Sequence, residues 1–407
     1  MTLYDILVVG GGASGMMAAI TAKSEAPHLS VAILEGQNRV GKKLLTTGNG
    51  RCNLTNTGID ISRYHSENIG LVQPVLSAFD KAETEHFFAS LGILFKEGED
   101  GKLFPFSLQA AAVVNALRLK CESLGIEIIT NSKVEKISKE LVVKTAQGEF
   151  KGKAVIVACG GCSAKNTGSD GSGFELLRSL GHSCTTLYPA ITPIRTETAP
   201  IKAAKGAKTV CALTAQSGNE VRTEFGEVLF TEYGISGPPV LQVSGFAAAR
   251  ENVKISLDML PEMSEDELFK YVFSRKDSVF ENRMENLFLG LLPKPISLIV
   301  LKYCGMTVND SCSALEKRSI SKLVNAIKAF TLEVTGVCGY DSAQVTAGGI
   351  RLSEFDSSLC SKVARGVFAC GEVLDVYGDC GGFNLQWAWS SGYLAGRSAV
   401  LFAEKNV

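Results

Sequence analysis

An α/β fold whose parallel sheet binds a dinucleotide is the class this 407-residue chain predicts. Three features carry it: a strand that runs into a glycine turn and a helix, a second strand that ends in an acid, and a strand-and-glycine pattern that returns near the C-terminus. The first is Asp5-Ile6-Leu7-Val8-Val9, then Gly10-Gly11-Gly12-Ala13-Ser14-Gly15, then the small, helix-forming stretch Met16 to Ala22. In that order Gly10 permits the tight turn, Gly12 lets the backbone approach a pyrophosphate, and Gly15 lets helix and strand pack closely. The phosphates then meet free N–H groups and the dipole at the helix N-terminus, beside Ala13 and Ser14.

The second feature is Ser30-Val31-Ala32-Ile33-Leu34 ending in Glu35, where a carboxylate accepts the hydroxyl protons of an adenosine ribose. An acid there favours an unphosphorylated ribose, as in FAD or NAD, without choosing between them.

The middle of the chain reads as an insertion. A loop-like stretch, Val40 to Asn56, precedes helical patterns at Leu71 to Leu91 and Ala110 to Leu124. Short strands follow at Ile126 to Thr130, Val134 to Ile137, Leu141 to Thr145 and Ala154 to Ala158, the last running into Cys159-Gly160-Gly161. Residues 185–260 carry short β patterns broken by Gly and Pro, and 262–332 look mainly helical, opened by Ser264 with Glu267 three residues on, a capping-box pattern. From Gln344 strands and glycine turns return, closing in a helix from about Leu385 to Glu404. The expected division is 1–189 with 346–407 for the dinucleotide domain, 190–260 with 333–345 for a β-rich domain, and 261–332 for a small helical domain.

Composition excludes several classes. Lys+Arg 41 against Asp+Glu 42 leaves a net charge of -1, so no global field recruits nucleic acid or an anionic membrane. No uncharged run approaches the eighteen or so residues of a membrane span. Cysteines number 12 without the paired spacing of a zinc site, which suits reduced thiols in a cytoplasmic chain, and no metal centre is expected. The histidines His28, His65, His86 and His182 show no partner pattern for metal or triad chemistry.

The third feature, Gly366-Val367-Phe368-Ala369-Cys370-Gly371-Glu372, is a buried strand ending in Gly-Glu, where a carboxylate meets ribityl hydroxyls in flavin domains built from both chain ends. Gly378 to Asn384 is a glycine turn before the final helix. Through Gly382 it can bring N–H groups to the flavin N1/O2 edge, where negative charge develops on reduction. Together the features select FAD.

The blocks GKKLLTTGNGRCNLTN at 41–56, EVLFTEYGISGPPVLQVS at 227–244 and GEVLDVYGDCGGFNLQWAWSSGYLAG at 371–396 carry a family resemblance. The chain resembles the bacterial NAD(P)/FAD-dependent oxidoreductases that include aminoacetone oxidase-like proteins, the flavoprotein of bile-acid dehydroxylation and flavoproteins that reduce uridine in ribosomal RNA. The resemblance implies a Rossmann-like two-ended FAD domain, an inserted β-barrel-like domain and a small helical domain. It implies that Glu35 holds the ribose, that Lys43 and the turn Asn49-Gly50-Arg51-Cys52-Asn53 lie against pyrophosphate and flavin, and that Val134 meets adenine through its backbone. It also implies that Gly371, Glu372, Asn384 and Leu385 face the ribityl chain and the ring. Two positions depart from the family pattern: Ser163-Ala164-Lys165 replaces Ser-Tyr-Pro, and Glu232 stands where a His is usual.

Cys159 ends a buried strand, and it and Gly160 are expected to lie against FAD. Cys159-Gly160-Gly161-Cys162 is formally a CxxC, but its first cysteine ends a strand instead of opening a helix, so a redox disulfide is the lesser reading. Cys52 reads as a small packed residue. The functional expectation is noncovalent FAD passing a hydride through flavin N5, with no protein nucleophile or other catalytic side chain identified and NAD(P)H as a transient donor. The substrate is a small molecule with a conjugated C=C, or alternatively uridine of ribosomal RNA docked on Lys202, Lys205, Lys208 and Arg222. The same motifs also fit an amine oxidase of the aminoacetone oxidase type and a non-catalytic flavin-binding partner protein. Oligomeric state is not legible.

Overall fold

The apolar run of the chain's opening pattern becomes the buried end of strand β1 (Thr2–Val9), and the glycine turn delivers helix α1 (Ala13–Glu25). All four residues of β2 (Val31–Leu34) are buried, as expected for a parallel strand covered on both faces. β3 (Glu127–Ile129), β4 (Val134–Ile137), β5 (Val142–Thr145) and β6 (Gly148–Val157) complete the first pass, followed by α2 (Ser172–Ser179). The computed structural model describes residues 1–405.

Two elements of this pass differ from the sequence expectation. β6 begins at Gly148 instead of Ala154, because its polar first half pairs antiparallel with β5 while Phe150 and Gly152 turn inward. The helical pattern at 71–91 is two helices, Val72–Ala78 and Lys81–Ser90. Asp80 is extended between them and its side chain accepts the Glu83 N–H at 3.0 Å, so it caps the second helix. A 3.6-residue period does not register such a break.

Pro189–Ala343 forms a compact unit of its own. Six antiparallel strands close a barrel in the order Ile194–Thr196, Gly234–Ser236, Glu220–Phe230, Lys208–Ser217, Lys254–Asp258 and Phe330–Val337. Ser264 and Glu267 make the reciprocal capping box that opens helix Glu265–Arg275. That helix, Lys294–Tyr303 and Lys317–Lys328 share one hydrophobic core with the barrel. Within the stretch read as β, Pro238–Ala248 is a helix, started by Pro at its first turn, where a missing N–H costs nothing.

The other unit, Met1–Tyr188, takes the chain back from Gln344 onward. β7 (Val367–Ala369) joins the C-terminal half of β6 in parallel, and α3 (Phe383–Lys405) ends the fold. The sheet order is β3-β2-β1-β6-β5-β4, with β7 also on β6. α3 lies directly on α1: a Cβ on Gly392 would meet the Ser14 carbonyl oxygen, and one on Gly396 the Ala18 carbonyl oxygen. Two glycines one turn apart let the backbones touch there. No helix among the described residues is long and apolar enough to cross a membrane.

Candidate active site

The parallel strands end level with one another. Val9 is in register with Leu34 and with Val157, and Val157 with Ala369, so Gly10, Glu35, Ala158 and Cys370 begin four turns along one edge. In open α/β sheets that carboxyl edge is where ligands bind.

The three fingerprint glycines differ in what surrounds them. Gly10 has φ +107, and a Cβ there would stand 2.5 Å from the Ala158 carbonyl oxygen; a Cβ on Gly15 would run into the Gly10 carbonyl oxygen. Both are walled in by protein. Gly12 has φ -79 and nothing within 4 Å of a Cβ position, and it is the N-cap of α1 with no side chain capping it. The first-turn N–H groups beside Ala13 and Ser14 therefore open onto free space. Ser14 is buried, its hydroxyl against Gly371.

Glu35 Oε2 accepts the Gly11 N–H at 2.8 Å and Oε1 the Gln37 N–H at 2.7 Å. Burial nonetheless pushes its carboxyl above the ordinary glutamate value. Val134 is buried, and its segment with Lys133, Lys136, Ser172 and Glu175 lines a groove of about 520 Å³.

The two chain ends meet at Glu372. Its Oε2 accepts from Lys43 Nζ at 2.7 Å, across a sequence separation of 329, and its Oε1 accepts the Thr346 N–H at 2.7 Å. Lys42, the other half of the lysine pair, goes instead to Gln37 Oε1 at 2.9 Å. Gly48, Asn49, Gly50 and Cys52 all have positive φ, and the turn closes on itself, the Arg51 and Cys52 N–H groups donating to the Gly48 and Thr47 carbonyls at 3.2 and 3.0 Å. Arg51 points outward, its guanidinium 4.9 Å from the Phe104 ring centre. Asn53 is 9% exposed, and its Oδ1 is buried with no hydrogen-bond partner.

The C-terminal turn closes the site. Gly382 has φ +107, and a Cβ there would be 2.5 Å from the Thr55 carbonyl oxygen and 3.1 Å from Asn53 Oδ1. The Asn384 side chain is committed to this turn, accepting the Gly378 N–H and donating to the Gly378 carbonyl, each at 2.8 Å, while Leu385 is half-buried. Trp387 and Trp389 both donate their indole N–H groups, to the Gly371 and Leu54 carbonyls at 3.0 and 2.9 Å, and so brace the two sides.

The thiols are quiet. Burial pushes Cys52 and Cys159 up to about 12 and raises Cys162. Gly160 has φ +73 beside Ser169. Among the described residues no group of three or more His, Cys, Asp or Glu is arranged to hold a metal.

Long-range partners hidden from the sequence change the reading of two histidines. His65 Nε2 lies 2.9 Å from Asp379 Oδ1, which is itself 5% exposed and paired with Arg63, and the His65 ring packs against Tyr377 at a 30° tilt, centroids 4.7 Å apart. His182 is buried, with Nδ1 2.9 Å from Glu354 and Nε2 2.9 Å from Ser361. Although these three have the order of a catalytic triad, Ser361 Oγ already accepts the Val363 and Ala364 N–H groups, so they form a structural tie. Asp375, also unmarked by the sequence, is pushed up to about 6 by burial despite accepting the Glu67 N–H at 2.9 Å.

A parallel sheet with an open fingerprint helix, an acid at the second strand end and a returning Gly-Glu turn defines a flavin-dependent oxidoreductase of the Rossmann type. The chain belongs to the family described as HI0933-like protein Rossmann domain, which matches residues 4–398. It is 39% identical over 402 residues to the 3-dehydro-bile acid delta(4,6)-reductase of Clostridium scindens, covering 97% of this chain and 98% of that one. It is 29% identical over 397 residues to the ribosomal RNA dihydrouridine synthase of Haemophilus influenzae, covering 95% and 96%. In fold it is similar to the 3-ketosteroid delta1-dehydrogenase from Sterolibacterium denitrificans, with a TM-score of 0.50, 12% identity and coverage of 98% of this chain and 100% of that one.

Proposed function

We propose that the protein binds FAD noncovalently and carries out the NAD(P)H-linked reduction of a carbon–carbon double bond conjugated to a carbonyl in a small-molecule substrate. The observation that carries the cofactor half is the contrast among the glycines: Gly10 and Gly15 are walled by protein, whereas Gly12 faces open space at an uncapped helix N-terminus. That is the cradle a pyrophosphate requires. Glu35 keeps lone pairs for ribose hydroxyls beyond the two N–H groups it accepts, and the Val134 backbone serves adenine. Lys43 and Glu372 serve the ribityl side; Asn49, Gly50, Cys52, Asn53, Cys159, Gly160, Gly371, Gly382, Asn384 and Leu385 surround the ring, while the Arg51 side chain turns outward onto Phe104.

Bound FAD supplies the hydride chemistry at N5. The protein orients the ring, excludes water and keeps Cys52 and Cys159 protonated, which leaves no thiolate to compete. Transiently docked NAD(P)H would supply the two electrons and the hydride, and solvent the proton, that saturate the double bond.

The substrate half rests on the bile-acid reductase likeness and on the basic cluster of the barrel. Lys205 pairs with Glu232 at 2.6 Å, Lys208 with Glu227 at 2.8 Å and Arg222 with Glu224 at 3.1 Å. With three of its four cations facing acids, the cluster offers little net charge to RNA phosphates, which favours the small molecule. The test is anaerobic stopped-flow reduction by NADH and NADPH, then reoxidation by a 3-oxo-Δ4 steroid, by ribosomal RNA lacking dihydrouridine, or by oxygen. Rapid reoxidation by the enone supports the proposal; reoxidation by RNA but not by the enone overturns it.

A further inference from the structure

The segment that runs from Glu372 to Gly382, two positions assigned to the cofactor, holds a histidine–carboxylate pair that cofactor binding does not use. Tyr64–His65 and Tyr377–Gly378 form a short antiparallel ribbon with His65 opposite Tyr377. Its anchors are firm: the Tyr64 hydroxyl donates to the Phe383 carbonyl at 3.1 Å, and the Asp379 N–H to the Arg63 carbonyl at 2.9 Å. His65 Nε2 is held by Asp379 Oδ1 at 2.9 Å, while the other carboxylate oxygen takes Arg63 Nη1 at 3.2 Å. A carboxylate only accepts, so Nε2 carries the proton. Nδ1 has no hydrogen-bond partner among the described residues, and the His65 side chain is 32% exposed against 5% for Asp379. A buried acid thus fixes an accessible imidazole by one nitrogen and leaves the other available.

We propose that His65, oriented by Asp379, passes the solvent proton to the substrate during reduction of the conjugated double bond. The proposal rests on the enone-reduction reading above. Hydride addition to the β-carbon moves the π electron pair toward the carbonyl and leaves an enolate, whose α-carbon must take a proton. As imidazolium, His65 gives its Nδ1 proton to that carbon and becomes neutral imidazole, with Nε2–H still donated to Asp379; solvent then restores Nδ1–H. Imidazole is the side chain suited to this exchange near neutral pH. The other candidates are worse acids or are engaged. Lys43 is bound to Glu372 and both Asp379 oxygens are occupied. Burial pushes Cys52 and Cys159 up to about 12. Tyr377 packs on the His65 ring, and a phenol gives up its proton far less readily than an imidazolium.

The test compares the parent with His65→Gln, which keeps an N–H for Asp379 but has no proton to give, and with Tyr377→Phe. In anaerobic stopped flow His65→Gln should be reduced by NAD(P)H at the parental rate yet be reoxidised by a 3-oxo-Δ4 steroid about 10²-fold or more slowly, the scale of general acid catalysis. Tyr377→Phe should keep most of the reoxidation rate. Reduction in D₂O should place deuterium on one face of the α-carbon with the parent and on both faces with His65→Gln. Independently of turnover, ¹⁵N spectra of the purified protein should show neutral His65 as the Nε2–H tautomer, a preference lost in Asp379→Ala. Equal reoxidation of parent and His65→Gln, or an Nδ1–H tautomer, overturns the proposal while leaving the FAD and enone readings intact. So does loss of FAD from His65→Gln, which would make the pair a tie of the fold. A parent that NAD(P)H reduces but the enone does not reoxidise overturns the substrate reading and this proposal with it.

Discussion

Replacing Gly12 with Val separates cofactor binding from folding. Gly12 has φ -79 and ψ -167, an extended conformation that any residue adopts, and the space around its Cβ position is empty to 4 Å. A Cβ there therefore meets no protein atom, and the variant should fold with a loss of about 1 kcal/mol, the scale of the N-cap preference for Gly over Val. The branched side chain occupies the approach to the first-turn N–H groups of α1. A pyrophosphate held at a distance loses at least two hydrogen bonds to a charged group, each worth about 1.5 to 3 kcal/mol, hence roughly 3 to 6 kcal/mol in all. That corresponds to about 10² to 10⁴ in the dissociation constant. The assay pairs flavin absorbance of the purified protein with its unfolding midpoint. Gly15→Val is the control: its Cβ would strike the Gly10 carbonyl oxygen, so it should lose the fold as well as the colour. A folded, fully yellow Gly12→Val protein would mean that no pyrophosphate approaches the helix at this point.

Glu35→Ala should weaken FAD by roughly 1.5 to 3 kcal/mol with little change in the flavin reduction rate at saturating FAD, read by titration and stopped flow; an unchanged dissociation constant would make Glu35 only a tie for the Gly11 and Gln37 N–H groups. Cys159→Ser and Cys162→Ser, singly or together, should keep turnover and a two-electron reductive endpoint, because burial holds both thiols protonated; a four-electron endpoint that falls to two in the double variant would reveal a redox disulfide. Asp375, raised to about 6, binds its proton more tightly in the folded state, so its contribution to stability is full below the ordinary aspartate range and is lost as pH rises through about 6. Denaturant midpoints of the parent minus those of Asp375→Asn should therefore fall between about pH 4 and 6.5; a flat difference contradicts this. Converting Lys202, Lys205 and Lys208 to Ala should leave FAD content and enone reduction unchanged in a direct rate assay, since the cluster is assigned no part in either.

The N-terminal strand-turn-helix-strand unit was legible because its parts, from Gly10 to Glu35, are neighbours in sequence, although the Ala158 carbonyl that walls Gly10 comes from a distant strand. The capping box at Ser264 and Glu267 was legible for the same reason. What stayed hidden depends on distant pairing. His65 and Asp379 are 314 residues apart, and no local pattern marks either. The first half of β6 reads as polar loop because only Phe150 and Gly152 turn inward, and Gly392 and Gly396 acquire meaning only when α1 lies against them. Lys43 and Glu372 were each singled out, but their mutual ion pair belongs to the tertiary fold. Pro238-Pro239 marked a break where the structure starts a helix; a proline at the first helical turn and one in a loop look alike without the residues that follow packing inward.

Heat denaturation of the purified protein, followed by filtration and mass analysis of the released chromophore, decides whether the cofactor is noncovalent FAD. One FAD should be released per chain, because every residue assigned to the cofactor acts through hydrogen bonds, charge or close backbone approach. FMN in the filtrate, flavin retained on the denatured chain, or a protein that neither carries FAD nor takes it up would contradict that assignment.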